Sequence, residues 1–208
     1  MPIVTAAVIA YLLGAVPVGL IVGRLTKGID LREYGSHRTG ATNALRTLGA
    51  KAAALVFLLD VTKGVAAVLI ARTLGGGDAE WAAAVAGVAA IVGHNWSVFI
   101  GFSGGRGVAT SAGALGAVTP VTLLIVFPIV ALVLWTTRYV SLGSILGAAL
   151  APVVTAGLVL IGLADLPAVA YTVASGLLVI GSHADNIARL RAGTERRIGE
   201  KEKVDAGG

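Results

Sequence analysis

Long apolar runs constrain this chain more than any other feature: from MPIVTAAVIAYLLGAVPVGLIVGRL at its start to LPAVAYTVASGLLVIG near its end, one hydrophobic stretch follows another. Runs of roughly 20 residues match the hydrocarbon core of a bilayer, where a backbone must satisfy its own polar groups. The chain is therefore expected to be an all-α integral membrane protein. Composition agrees, with 56% hydrophobic and 13% charged residues. In 208 residues there is no room for a soluble domain beside the spans, so residues 1–208 are expected to form one polytopic domain. The first run lacks a basic leader and is longer than a signal-peptide core, and is read as a retained first helix. Zero cysteines exclude disulfides, thiol catalysis and cysteine-ligated metals, and no metal or cofactor is expected.

Seven candidate spans emerge, at about 3–23, 52–74, 80–97, 107–119, 121–137, 142–163 and 166–182. The fourth is too short to cross unaided and must be tilted, broken or packed inside the bundle. Only the tail from about 200 to 208 reads as disordered. An outside N-terminus places 14 of the 16 Lys and Arg at inner loops and the cytoplasmic C-terminus, as the positive-inside rule expects. Arg72 alone falls at an outer end, together with Asp78, Glu80 and Asp165. The net charge of +5 thus reflects topology, and no nucleic-acid partner is expected. The remaining basic residue, Lys63, lies inside the second span three residues after Asp60, a spacing that shares one helix face. A structural ion pair is the preferred reading of the two, a catalytic one the alternative.

Three polar, glycine-rich stretches interrupt this pattern, all on the cytoplasmic side: Tyr34 to Gly49, Gly93 to Thr110 and Gly181 to Gly199. Polar groups kept at a membrane boundary carry a desolvation cost and mark a candidate site. In the first, Gly35, Ser36, Gly40, Thr42 and Asn43 precede Arg46, so that small residues expose backbone N–H groups to an anion and a guanidinium clamps it. The plain alternative is a loop in which Thr42 or Asn43 caps the next helix. In the second, Gly104, Gly105, Arg106 and Gly107 stand at a helix start, where N–H groups and dipole favour phosphate. Trp96 reads as an interfacial anchor, and His94 as a helix cap or bridge. In the third, His183 and Asn186 are three apart, a spacing that puts imidazole and amide on one helix face. Glu195 is expected to pair with Arg191 in a structural role.

The strings GATN followed by LR, GHNWSVF with GFSGGRGVAT, and SHADNIARLRAGTE resemble, in order and across nearly the whole chain, the motifs of the bacterial acyl-phosphate-dependent glycerol-3-phosphate acyltransferases, the PlsY family. The resemblance implies a seven-helix, N-out fold in the bacterial inner membrane. It implies transfer of a fatty acyl group from acyl phosphate to the 1-position of sn-glycerol 3-phosphate, giving lysophosphatidic acid and phosphate, the first step of phospholipid synthesis. It makes Ser36 and Arg46 contacts to phosphate and glycerol, with Thr42 and Asn43 in the same turn and Gly104 to Gly107 on the substrate side. His183 and Asn186 join the glycerol-phosphate site, with Ser141 a further polar contact. The implied partners are the two substrates and the bilayer, and the implied state is a monomer. Where the family often has lysine this chain has Ser103 and Arg106; Arg106 keeps the charge in a planar fork, and Ser103 suggests an inessential position.

An acyl phosphate is already activated, so such an enzyme needs neither ATP nor a covalent intermediate, only positioning and charge stabilisation. The leaving phosphate takes the hydroxyl proton while His183 orients the nucleophile, or His183 is itself the general base; both remain open at the sequence level. The competing class is a small transporter for phosphorylated or anionic solutes. It is disfavoured because all three stretches share one membrane side and the halves are not inverted copies. A pure scaffold leaves Arg46, Arg106 and His183 unexplained.

Overall fold

The structure, a computed structural model, describes residues 2–199, and the expected disordered tail lies outside them. Among the described residues the fold is helical, with ten α-helices and short 3-10 turns. In order they are α1 (Pro2–Ala15), α2 (Val18–Lys27), α3 (Ala41–Thr47), α4 (Ala50–Gly75), α5 (Ala79–Asn95), α6 (Val108–Val118), α7 (Pro120–Thr137), α8 (Val140–Leu160), α9 (Leu166–Gly181) and α10 (Ala184–Arg191). Four apolar helical stretches are long enough to cross a membrane: residues 2–27, 50–95, 120–137 and 140–160. Counted as one element, α9 and α10, bent by 60° at the break between them, bring the number to five. The 50–95 stretch is α4 and α5, packed against each other through a turn at Gly76–Asp78.

The first apolar run departs from the expected single helix. It breaks at Pro17, which has no N–H to donate back along the helix. The Val16 carbonyl at the break accepts from Lys63 Nζ at 3.1 Å, so a buried cation on α4 satisfies backbone freed on α1. The same ammonium lies 2.8 Å from Asp60 Oδ1, and His94 Nδ1 lies 3.5 Å from that oxygen. The Asp60–Lys63 ion pair is therefore present and joins three helices. The short α6 is packed inside the bundle against α4, α5, α7 and α9, which removes the need for its 11 residues to span alone.

Helices in lipid gain little from hydrophobic exclusion and associate through close packing of small side chains. Here α5 is the central element, contacting α1, α4, α6 and α9. Ala6 and Ala10 of α1, Ala67 and Ala71 of α4, and Ala82, Ala86 and Ala90 of α5 form one buried cluster. Gly14 and Gly93 let α1 and α5 approach so closely that a Cβ on either would strike the other helix's carbonyls. A second cluster surrounds Tyr171, whose hydroxyl donates to the Ser111 carbonyl at 2.8 Å. At the end of the bundle opposite the polar stretches, Arg72 pairs with Glu80 at 2.7 Å and donates to Ala117 O at 2.6 Å, closing the carbonyl end of α6. Charge at that end thus caps structure, whereas the other end builds a cavity.

Candidate active site

All three polar stretches line one cavity of about 450 Å³. Each is shaped by a different local device. The first is organised by Asn43, which is buried and whose Nδ2 donates to the carbonyls of Leu31, Tyr34 and Arg38 at 3.0, 3.0 and 2.8 Å. Its Oδ1 accepts from Ser36 N at 3.0 Å, so the side-chain amide is committed to holding the loop. The capping alternative is not what forms: Gly40 is the N-cap of α3, no side chain caps it, and Thr42 and Asn43 lie inside its first turn. Ser36, Thr42, Asn43 and Arg46 all border the cavity.

In the second stretch, Gly107 precedes α6 with φ +72°, a backbone conformation that side chains disfavour. Arg106, Gly107, Val108 and Ala109 therefore present the start of α6 to the cavity. Gly104 and Gly105 do not line it; they lie behind, where the Gly105 N–H donates to His94 O at 3.1 Å and a Cβ on Gly105 would run into the His94 imidazole. Their absence of side chains lets the turn sit low on α5. Ser103 is also outside the cavity, and its Oγ receives Arg32 Nη1 at 3.3 Å.

In the third stretch, His183 immediately precedes α10 and Asn186 lies in its first turn. Both are buried and both line the cavity, although His183 is not itself helical. His183 Nδ1 lies 2.7 Å from the Val179 carbonyl. A carbonyl can only accept, so Nδ1 carries the hydrogen and a neutral ring keeps a lone pair on Nε2. Burial pushes the His183 pKa down, the bond to Val179 pushes it back up, and the net is below the ordinary imidazole value.

Glu195 corrects a sequence expectation. Its partner is Arg189 rather than Arg191, with Arg189 Nε 2.7 Å from Oε2. Its Oε1 accepts from Ser141 Oγ and Asn186 Nδ2, each at 2.7 Å, so one carboxylate fixes both expected polar contacts and joins α8 to α10. Burial raises its pKa, but these hydrogen bonds and the guanidinium outweigh burial and leave it below the usual value. The buried Asn186 Oδ1 has no hydrogen-bond partner among the described residues. Arg106 donates from Nε to the Ser182 carbonyl at 3.1 Å and pairs through Nη2 with Asp185 at 2.6 Å.

Sequence reasoning missed several lining residues. Asp185 and Arg189 were legible as an i, i+4 pair on α10. Asp60 and His94 reach the cavity from α4 and α5, and Phe57 lines it from a lipid-facing flank; tertiary packing alone brings these in. With Arg38, Arg46, Arg106, Arg189 and Arg196 lining the same space, the site suits multiply charged anions. Among the described residues no group of three or more His, Cys, Asp or Glu is placed to hold a metal.

Comparison with known proteins agrees with this geometry. Residues 4–193 match the family model described as glycerol-3-phosphate acyltransferase. The chain is 46% identical over 200 residues to glycerol-3-phosphate acyltransferase 1 of Deinococcus radiodurans, covering 94% of this chain and 96% of that one. It is 47% identical over 201 residues to the glycerol-3-phosphate acyltransferase of Thermus thermophilus, covering 95% and 98%. Among solved structures it is similar to the integral membrane glycerol 3-phosphate acyltransferase PlsY in its glycerol 3-phosphate form, with TM-score 0.86, 39% identity and 96% of each chain covered. The lysophosphatidic acid form of PlsY superposes with TM-score 0.83 at 38% identity, again over 96% of each chain. A match over nearly the full length, with three ordered motifs folded into one cationic cavity, means that this chain belongs to the glycerol-3-phosphate acyltransferase (PlsY) family.

Proposed function

We propose that this protein is a membrane acyltransferase that moves a fatty acyl group from acyl phosphate to the 1-hydroxyl of sn-glycerol 3-phosphate, the first step of bacterial phospholipid synthesis. The observation that carries the reading is the convergence of all three polar stretches on a single cavity of about 450 Å³ lined by five arginines. Two phosphate dianions need such a field, and an anhydride donor needs little else besides alignment. The substrate contacts are Ser36, Thr42 and Arg46 from the first stretch, the Arg106–Gly107 turn at the α6 start, and Ser141, His183 and Asn186 around the glycerol.

The hydroxyl oxygen of glycerol 3-phosphate attacks the acyl carbonyl, the bond from that carbon to the bridging phosphate oxygen breaks, and the hydroxyl proton ends on the departing phosphate. His183 Nε2 and Asn186 Oδ1 accept hydrogen bonds from the glycerol hydroxyls and aim the attacking oxygen. With Nδ1–H given to Val179, the neutral ring faces substrate as an acceptor. The N–H groups at the α6 start and Arg106 stabilise the negative charge that develops on phosphate. Residues 1–208 act as one domain with seven membrane passages, the N-terminus outside and the cavity facing the cytoplasm, in the inner membrane and as a monomer. No cofactor takes part.

Purified protein in lipid nanodiscs, given acyl phosphate and radiolabelled glycerol 3-phosphate, should release lysophosphatidic acid and inorganic phosphate one for one. Movement of glycerol 3-phosphate across proteoliposomes with no lipid product would overturn the reading in favour of transport.

A further inference from the structure

One oxygen of Asp185 is held by two guanidinium groups: Oδ2 is 2.6 Å from Arg106 Nη2 and 3.3 Å from Arg189 Nη1. This is the bonding pattern of a phosphate oxygen between two arginines. Both guanidiniums are also anchored from behind by groups other than Asp185. Arg106 Nε donates to the Ser182 carbonyl at 3.1 Å, and Arg189 Nε is bound to Glu195 at 2.7 Å. Glu195 is in turn fixed by Ser141 and Asn186. Taking Asp185 away therefore leaves the two cations in place. Asp185 differs from its partners in freedom, since its side chain is 46% exposed against 17% for Arg106.

We propose that Arg106 and Arg189 form a two-guanidinium phosphate clamp and that Asp185 is its tethered competitor, a specificity-determining residue that occupies the clamp until a substrate phosphate displaces it. The inference rests on the acyltransferase reading for the identity of the substrates, but the clamp itself is a property of these side chains. A tethered carboxylate carries one negative charge. A phosphate dianion offers two charges and several oxygens, so it displaces Asp185 where chloride or a free carboxylate does not. Asp185 thus exchanges some affinity for selectivity. The population of empty clamp sets the apparent affinity, because an occupied site lowers binding by the fraction that is competent.

Arg106 is the residue that makes this arrangement possible. Its fork engages Ser182 and Asp185 at once through separate nitrogens, whereas a lysine offers one point donor. Only the Asp185 end of this ion pair is well exposed, and that solvated partner suits a contact meant to be broken at each turnover.

The test is isothermal calorimetry of inorganic phosphate binding to the full-length protein in nanodiscs, alongside steady-state kinetics for both substrates. Asp185→Asn and Asp185→Ala should each bind inorganic phosphate at least about fivefold more tightly than the unmodified protein, with a lower KM for the substrate whose phosphate uses the clamp. Both should also bind acetate detectably, which the unmodified protein should not. Arg106→Gln in the Asp185→Asn background should abolish the gain. Unchanged or weaker phosphate binding in both Asp185 variants would overturn the clamp, since a mere strut between α6 and α10 gains no affinity when removed. The two readings fail separately: phosphate calorimetry needs no turnover, so tightened binding without lysophosphatidic acid synthesis defeats only the enzyme assignment.

Discussion

At the level of single residues, the groups lining the cavity divide into those that offer it charge and those committed to holding the loops. Asn43 and Glu195 are holders: each distributes one polar head over three or more partners. Arg46 and Arg106 are charges facing the cavity. Arg46→Ala should abolish detectable turnover, whereas Arg106→Lys should remain active, because it keeps the cation and alters only donor geometry; a radiolabelled lysophosphatidic acid assay decides this. His183 bears on pH. Its pKa is lowered, so the neutral acceptor form exists above the ordinary imidazole value of 6.5 and is lost only as pH falls below it. The kcat of the native enzyme should accordingly be flat from about pH 6.5 to 8.5. His183→Asn should retain turnover, with KM raised for glycerol 3-phosphate and unchanged for acyl phosphate. An acid limb that disappears in the variant while that KM stays put would instead make His183 the general base. The tautomer behind this prediction was not legible in the sequence, because it depends on one carbonyl in the last turn of α9.

At the level of elements, the apolar runs were readable because hydropathy over a span is a sum that few substitutions disturb. Boundaries and breaks were less so. Pro17 marks the α1 break, yet what makes the break tolerable is Lys63 on another helix, and no local signal joins the two. Likewise GGRG announces a phosphate turn, but that Gly105 serves packing against His94 emerges only when α5 is placed beneath it. The glycines within helices test this distinction. Gly14→Ala should lower the thermal midpoint, since its Cβ would meet the Ala90 backbone, which cannot swing aside; overpacking of this kind costs about 1–3 kcal/mol. Gly157→Ala, with open space around the added carbon, should leave the midpoint unchanged or raised. Thermal unfolding in detergent followed by tryptophan fluorescence measures both, and equal losses would show that the α1–α5 contact is not as tight as the carbonyl approach indicates.

At the level of the whole molecule, the charge pattern and the chain's path support each other: the loops following α2, α5 and α9 build one cavity, and Arg72, Glu80 and the α6 carbonyls meet at the other end. The proposed orientation makes a definite labelling pattern. In a chain with no cysteine, Ser103→Cys should react with an impermeant maleimide only from the cytoplasmic side and Asp78→Cys only from the outside. Both labelled from one side would refute seven passages. How side chains from five or more helices meet around one cavity was beyond the sequence, since that depends on α5 as a common core rather than on any motif. One further feature sets how the enzyme experiences its surroundings. Phe57 lines the cavity yet is 46% exposed on the outer flank of α4, so the cavity adjoins the lipid as well as the water. A donor with a fatty tail then arrives by lateral diffusion while its co-substrate arrives from solution, and the two encounters obey different concentrations. For the donor, what counts is its mole fraction in the leaflet, so diluting the membrane with inert lipid slows the reaction even when every bulk concentration is held constant.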